Sequence, residues 1–501
     1  MKRRTFLRAG AAAAFAGALP RRGALAAPFR PLRQVPPDLD AITGDGRDVV
    51  LRGRDVQELS KALRGALLLR EDEGYDAARR VLNPSFDRYP ALVVQPTGTA
   101  DVQRAVEFAA AHDLLVAVKC GGHSFSGKST CDRGMLVDLS GFRGVRIDPK
   151  TRRGRIAGGS LLGELDHEAM AHGLVTPMGT VSHTGVGGLA TGGGFGRISR
   201  RFGLSLDNMT AVDIVTADGA LLHASEGEND DLFWAVRGGG GNFGVVTSFE
   251  FRLHPMQRDV VGGTILYPVS MMRAVLERYR EYHERAPDDL YMDFLAIQAP
   301  GDAPGVSGFS VCYSGPEARA ESVLAPLRDL GTPIVDDVAR MDYVAQQRSG
   351  DIDDPRALGQ YLTGGFIAEL PDGLIDGLVD GFQGDPSRAT IVFFQHSGGA
   401  INRIPSDATA FPHRYAMANV GINTGWPFGA DAAPHMAYAR QYWRNIQQFG
   451  DGFYTVDVPP DTTAEGINRN YRGNYARLVT VKDRYDPKNL FRLNTNVEPT
   501  A

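Results

Sequence analysis

A mixed α+β protein built in at least two parts is what this sequence predicts, and three observations carry the reading. Short apolar strands and amphipathic helices are interleaved through residues 90–255 with no internal repeat. Glycine is gathered there into a few dense runs, and near Pro255 it thins out as a second set of mixed helix and strand patterns begins. Residues 477–497 then return to a strongly patterned text.

The elements follow in chain order. Residues 74–96 are rich in Tyr, Phe and Pro, and Leu92-Val93-Val94 reads as a short strand. Thr99 is placed to cap the next helix, with Asp101 in the first turn and Val102, Ala105, Val106 and Ala109 on one face. Residues 114–119 read as a buried strand that runs into Cys120-Gly121-Gly122-His123-Ser124. Residues 135–138, 145–148 and 155–157 follow as strands, and 161–172 as a helix. The run 179–208 carries seven glycines between Gly185 and Gly196, after which 211–217 is a strand and Asp230-Asp231-Leu232-Phe233-Trp234 opens a short helix. Farther on, 271–283, 317–330 and 434–449 read as helices, and 390–395 and 416–420 as strands. The expected division is a first domain over 27–255, a second over 256–451 and a tail over 452–501.

Composition narrows the function. The chain has 501 residues, 43% apolar and 23% charged, which is ordinary for a soluble protein able to bury a sizeable core. A net charge of −5 argues against a nucleic-acid partner, which calls for a basic excess. The 60 glycines exceed the usual share of about 7% and show no collagen period, so they mark places where backbone must approach something closely. Three cysteines, Cys120, Cys131 and Cys312, make neither a disulfide scaffold nor a cysteine zinc site, though one bridge could form in an oxidising compartment. No second histidine or acid stands at a ligand spacing from His123, so no metal is expected.

Residues 1–26 read as a targeting segment. Arg3-Arg4-Thr5-Phe6-Leu7 resembles a twin-arginine signal, the apolar stretch 9–19 is too short to span a bilayer, and Ala24-Leu25-Ala26 offers a small-residue cleavage site. Arg21 and Arg22 suit that route, which exports folded, cofactor-loaded proteins. The expectation is a periplasmic or extracellular protein with no membrane insertion once the signal is removed.

The chemistry lies in the glycine-rich turns. Gly121 and Gly122 after a strand let the chain turn sharply against a flat ligand, and His123 projects from that turn. An imidazole there can be a nucleophile, a base, a metal ligand or a structural donor, and the residues alone leave these open. Gly185-Val186-Gly187-Gly188-Leu189-Ala190 satisfies G-x-G-x-x-A with Asp207 downstream, but no apolar strand precedes it and Gly192 to Gly194 are poor helix openers. The run is therefore not a dinucleotide fingerprint, which requires strand before and helix after. Its amides still suit a pyrophosphate.

Six ordered motifs resemble the berberine bridge enzyme-like oxidoreductases, whose FAD-binding fold is of the vanillyl-alcohol oxidase type. They are Cys120-Gly-Gly-His123-Ser-Phe-Ser-Gly127, Val137-Asp138-Leu139-Ser140, Gly179-Thr-Val-Ser-His-Thr-Gly185, Gly192-Gly-Gly-Phe-Gly196, Arg201-Phe-Gly-Leu-Ser-Leu-Asp-Asn208 and Asp231-Leu-Phe-Trp-Ala-Val-Arg-Gly-Gly-Gly-Gly-Asn-Phe-Gly-Val-Val246. The ending Asn474-Tyr475-Ala-Arg-Leu478 through Asn494 is similar as well. The resemblance implies an α+β FAD-binding domain of two subdomains, a substrate domain with an antiparallel sheet, and a last segment that returns to the first domain.

It also implies site residues. His123 matches the histidine that carries the flavin on its 8α-methyl group, with Lys119, Gly121, Gly122, Ser124 and Gly127 around it. Thr180, Thr184, Gly185, Gly188, Gly192, Gly193 and Gly194 of the second turn, and Asn242, Gly244, Val245 and Val246 of the third, are expected at the cofactor with Asn474 and Asn494 of the tail. Val181 stands where some members place a second flavin-bound cysteine, so one covalent link is expected. Phe453-Tyr454-Thr455-Val456-Asp457 is the nearest equivalent of a strand that carries the family's tyrosine base, making Tyr454 the candidate base and Tyr471 the second. The bland alternative for either is a core tyrosine with a satisfied hydroxyl. Gln395, His396 and His413 are the candidates to face substrate.

The resulting expectation is an FAD-dependent enzyme that removes hydride from a CH–OH or CH–NH carbon of a small molecule such as a sugar or secondary metabolite. Its rivals are oxidative cyclisation or C–C bond formation, and a non-catalytic exported flavoprotein. The electron acceptor is oxygen or another oxidant. Thr184 lies at the position that governs oxygen access in the family, and its valine-like volume leans the reading toward an oxidase.

Overall fold

The computed structural model describes residues 31–352, 356–457, 459 and 461–500. The proposed signal at 1–26 lies outside the described residues. Three sheets organise the chain. In the first, Ala66–Leu68 pairs antiparallel with Leu92–Gln95, which runs parallel to Met135–Asp138 and, through it, to Val116–Lys119. Parallel strands are covered on both faces, and the near-continuous apolar text of Leu92-Val93-Val94 and Met135-Leu136-Val137 answers that need. The helix Thr99–Ala111 supplies one cover through Val102, Ala105, Val106 and Ala109, all fully buried.

The N-terminus of that helix differs from the sequence expectation. Gly98 is the cap residue and Thr99 the first helical one. Asp101 is buried and turns outward from the first turn to accept the amides of Arg64, Gly65 and Thr97. A carboxylate that can satisfy three amides does more for the buried turn than a threonine cap would.

The second sheet is antiparallel in the order Leu221–Ser225, Met209–Val215, Val245–Arg252, Arg153–Ala157, Val145–Asp148. The helices Leu162–Met170, Asp230–Gly239 and Tyr475–Tyr485 contribute to its core. The last brings the tail home. Lys482, fully buried, donates from Nζ to the carbonyls of Asn242 and Phe491 and to Asp486 Oδ2 at 2.7 Å, while Asn242 receives the Val497 amide.

A seven-residue helix, Val186–Gly192, runs through the glycine-rich segment, a correction to the reading of that text as open turns. Val186 and Ala190, four apart, are fully buried in the second core, so packing outweighs the poor propensity of the glycines. The strand before it, Leu174–Val175, does not run into it, and the dinucleotide fingerprint is absent in structure as in sequence.

The third sheet has eight strands, every pairing antiparallel, with Asp259–Pro268, Val306–Tyr313, Leu290–Gln298, Ala389–His396, Ala418–Pro427 and Leu358–Ile367 adjacent in that order. The helices Met272–His283, Ala320–Arg328, Asp372–Gly381 and Ala433–Ile446 share one core with it, in which Tyr279, Phe394 and Tyr442 are buried. In Ala389–His396 the alternation is strict: Thr390, Val392, Phe394 and His396 are buried, while Ile391, Phe393 and Gln395 look the other way, into the cavity described below. All three cysteines are free, so the possible disulfide does not form. No helix among the described residues is long and apolar enough to cross a membrane.

Candidate active site

The open face of the third sheet and the glycine turns of the first two bound a single large cavity of about 530 Å3. One wall is backbone. Gly121 and Gly185 stand back to back there: a Cβ on Gly121 would lie 2.4 Å from the Gly185 nitrogen, and one on Gly185 2.3 Å from the Gly121 nitrogen. Only glycine at both places lets the two turns touch. Gly188, Gly240 and Gly241 also line the cavity, and a Cβ on any of them would meet no protein atom within 4 Å. Their missing side chains leave room for a flat ligand against bare amides. The opposite wall is the sheet, presenting Asp293, Leu295, Leu362, Ile391, Phe393, Gln395 and Asn423.

His123 sits on the cavity wall between these faces. Its Nε2 lies 2.5 Å from His183 Nδ1, and its Nδ1 lies 3.3 Å from Thr184 Oγ1. The Ile352 amide donates to His183 Nε2 at 3.0 Å, which assigns the His183 proton to Nδ1 and makes His123 Nε2 the acceptor. Burial, reinforced by the neighbouring His183 and opposed by Asp351, pulls the His123 pKa down to about 3. The imidazole is therefore neutral at physiological pH and keeps the lone pair a nucleophile needs.

Most sequence-derived cofactor residues reach the cavity: Gly121, Gly122, Ser124, Thr180, Thr184, Gly185, Gly188, Gly192, Gly244, Val245, Val246 and Asn494 all line it. Others do not. Lys119 turns away, its ammonium bonded to the Ala78 carbonyl and 3.3 Å from Asp138, because Val116 and Val118 take the cavity side of the strand. Gly127 packs beneath Phe86, and Gly193 and Gly194 lie behind the wall against Tyr454 and Ser205. Asn242 clamps the tail, bonding the carbonyls of Gly239 and Thr495. Asn474 holds the carbonyls of Ser406 and Thr409.

Of the substrate candidates, Gln395 faces the cavity, whereas His396 and His413 are corrections. His396 is buried on the helix side of the sheet, accepting the Met292 amide and touching His283 and Arg200. His413 stacks on Phe366 with centroids 4.1 Å apart and meets Asn470 through Nε2. Tyr454 and Tyr471 both reach the wall. Residues 453–457 are a turn, not a strand. The Gly194 amide donates to the Tyr454 oxygen at 2.6 Å. Burial and then Asp457 push its pKa up, with the Gly194 and Phe195 amides opposing. Together these favour the protonated phenol, on the wall where the sequence reading places the base. The Tyr471 hydroxyl is buried without a partner among the described residues, and burial raises its pKa too.

Sequence reasoning missed Lys128, His183, Asp293 and Asp457. Lys128 is the lone lysine or arginine in the wall among the described residues, and its ammonium meets the Asn494 carbonyl at 2.8 Å. Its signal was present, since it directly follows the motif that ends at Gly127. No cluster of three or more metal-ligating side chains occurs among the described residues.

Comparison with known proteins agrees with this layout. The profile for an FAD binding domain matches residues 90–225, and that described as berberine and berberine like matches 465–498. An FAD-linked oxidoreductase of Dictyostelium discoideum is 31% identical over 449 residues, covering 89% of this chain and 97% of its own. The chain belongs to the berberine bridge enzyme-like FAD-linked oxidoreductases. It is 30% identical to (R)-6-hydroxynicotine oxidase of Paenarthrobacter nicotinovorans, over 87% of this chain and 97% of that one. Two solved structures are similar throughout: 6-hydroxy-D-nicotine oxidase of Arthrobacter nicotinovorans (TM-score 0.79, 29% identity, 87% and 98% of the chains) and xylooligosaccharide oxidase of Myceliophthora thermophila (0.77, 25%, 87% and 97%).

This chain is therefore an FAD-dependent oxidoreductase, and the cavity fits the cofactor on its own evidence. The open glycines give an isoalloxazine a backbone wall, and Lys128 offers charge to a diphosphate. The buried Asn494 Oδ1 and Ser129 Oγ, both on residues of the wall, have no partner among the described residues.

Proposed function

We propose that the enzyme is an exported oxidase that carries FAD on His123 and takes hydride from a carbon bearing O–H or N–H in a small organic substrate. The observation that carries the reading is a neutral, half-buried His123 on the wall of a cavity with a bare-glycine face and a mixed apolar and polar face opposite. When bound, FAD supplies the hydride acceptor and passes the electrons on to oxygen. The protein does the rest. Gly188, Gly240 and Gly241 leave space for the ring, and Lys128, Ser129 and Asn494 hold the polar end. The third sheet forms the wall opposite the glycines, and Thr184 presents a side chain no larger than valine where oxygen must approach.

A single link follows from the thiols at hand. Val181 in the wall has no sulfur. Cys120 is nearby, but its Sγ faces the Ser160 carbonyl, and burial pushes its pKa up to about 11, which keeps it protonated. Similar enzymes are named for 6-hydroxynicotine and for xylooligosaccharide. The test is anaerobic mixing with amines, secondary alcohols and sugars, followed by air. Bleaching of the flavin by at least one class, and about one hydrogen peroxide per turnover on aeration, are expected. A flavin that no class bleaches would remove the reading.

Export is proposed on Arg3-Arg4 and the cleavage site at residues 24–26, with 27–255, 256–451 and 452–501 as the parts of the mature chain. The expected N-terminus of the exported protein is near Ala27, and full-length yellow protein retained in the cytoplasm would contradict it.

A further inference from the structure

The cavity wall holds two carboxylates among the described residues, Asp293 and Asp457, and neither has an ion-pair partner there. They face different things. Asp457 sits beside Tyr454 and the glycine turns, while Asp293 projects from the middle of the third sheet. Along Leu290–Gln298, Met292, Phe294 and Ala296 enter the helix-side core, and Asp293 and Leu295 take the cavity side. Next to Asp293 in the wall, Leu295 and Phe393 are apolar, and the polar groups near it, the Tyr291 phenol, the His396 amide and Arg197, form no ion pair with it. The Asp293 Oδ1 accepts the His396 amide at 3.0 Å, which fixes the side chain on the cavity wall, with the Tyr291 phenol beside it. Gln395 shares this corner. Its Oε1 is taken by Asn419 Nδ2 at 2.8 Å, which turns the amide nitrogen toward the same space.

An unpaired carboxylate in a mostly apolar wall requires a donor, and a cationic donor satisfies it best. A sugar would bring many hydroxyls to a wall that offers Leu295, Leu362, Ile391 and Phe393 and few polar partners.

We propose that Asp293 is the substrate-binding carboxylate and proton acceptor of this site, and that the substrate is a small amine with an apolar body. The inference rests on the oxidase reading above. The ammonium N–H bond breaks, its electron pair stays on nitrogen, and the proton forms an O–H bond on Asp293. The amine lone pair is then free to form the C=N bond as hydride leaves the adjacent carbon for FAD. Burial lifts the Asp293 pKa to about 7, with the Tyr291 phenol, the His396 amide and Arg197 opposing. Across the sheet, on its helix side, lie the Tyr279 phenol, held protonated by burial, and the His396 imidazole, held neutral by burial. The acceptor form of Asp293 is thus lost as pH falls through about 7.

The test is anaerobic stopped-flow reduction of the holoenzyme flavin by a matched pair, N-methylbenzylamine and benzyl alcohol, with xylobiose as the sugar probe. Wild type and Asp293→Asn are compared from pH 5.5 to 9. The amine is expected to reduce the wild-type flavin fastest, with a rate that falls below about pH 7. The nearly isosteric Asp293→Asn should retain its flavin and be slower by about 100-fold or more, without that pH limb. Its amine dissociation constant, read from the flavin spectrum, should rise about tenfold or more. Equal rates and the same pH limb in both proteins would overturn the role of Asp293 and leave the oxidase reading standing. Faster reduction by the alcohol or by xylobiose would overturn the amine assignment. A wild-type flavin that no probe reduces, including the wider panel above, would take both readings away.

Discussion

A Gly185→Ala protein is expected to take up about a tenth or less of the wild-type flavin and to lose on the order of 3 kcal/mol of stability. The added methyl would lie 2.3 Å from the Gly121 nitrogen and 2.5 Å from Cys120 Sγ. Gly185 has no left-handed backbone to excuse, so the whole effect comes from crowding. Much of the obstruction is backbone, which cannot rotate aside as a flexible side chain would. The turn that carries His123 must then move off the turn that carries His183 and Thr184, and the ring wall opens. Each 1.4 kcal/mol lost from cofactor binding is about tenfold in affinity. Gly227→Ala is the matched control, since its Cβ would meet nothing within 4 Å and it does not line the cavity. Flavin-to-protein absorbance and denaturant unfolding read both effects. Full flavin loading of Gly185→Ala would show that the two turns are not in contact.

Arg414→Ala should cost about 3–5 kcal/mol, the usual penalty for stranding one member of a buried ion pair. Arg414 makes a two-pronged bond to Asp207, at 2.7 and 2.8 Å, with the side chains only 3% and 4% exposed. A third bond from Arg414 reaches Thr409. The pair joins the end of the glycine-rich segment to the Phe411-Pro412-His413-Arg414 turn, so it ties the cofactor wall to the later part of the chain. Removing the guanidinium leaves Asp207 buried with the Leu204 amide as a remaining donor. Arg414→Lys should recover part of the loss but not the bidentate geometry. Urea denaturation with a constant slope reads the difference. A change below about 1 kcal/mol would mean that Asp207 is effectively solvated.

The residues explain which parts of this site sequence could yield. The glycine runs were legible as places where backbone meets a ligand, but that the two turns meet each other was not, because the contact joins segments about sixty residues apart. Most of the cofactor residues carried over by resemblance do line the cavity. The failures share one cause. Gln395 and His396 are consecutive on a strand and so must point to opposite faces; both could not meet substrate, and the period of two hands His396 to the core. The same rule turns Lys119 away from the cavity side held by Val118, and it would have singled out Asp293 between Met292 and Phe294. His413 was not recoverable in this way, since its stacking on Phe366 depends on a contact between distant segments. His183 was overlooked because its partner is sixty residues earlier, at a distance only the back-to-back turns close. The helix Val186–Gly192 shows the reverse case: packing of Val186 and Ala190 sustains a helix whose local propensity argues against it.

The central claim is that this cavity holds FAD joined to the chain at His123 and nowhere else. Acid precipitation of the purified protein, followed by proteolysis and peptide mass analysis, tests it most directly. The account predicts yellow precipitate, a colourless supernatant and one flavin-bearing peptide containing His123, with all flavin released from His123→Ala. Flavin free in the wild-type supernatant, or carried by a peptide containing Cys120 or His183 without His123, would contradict it.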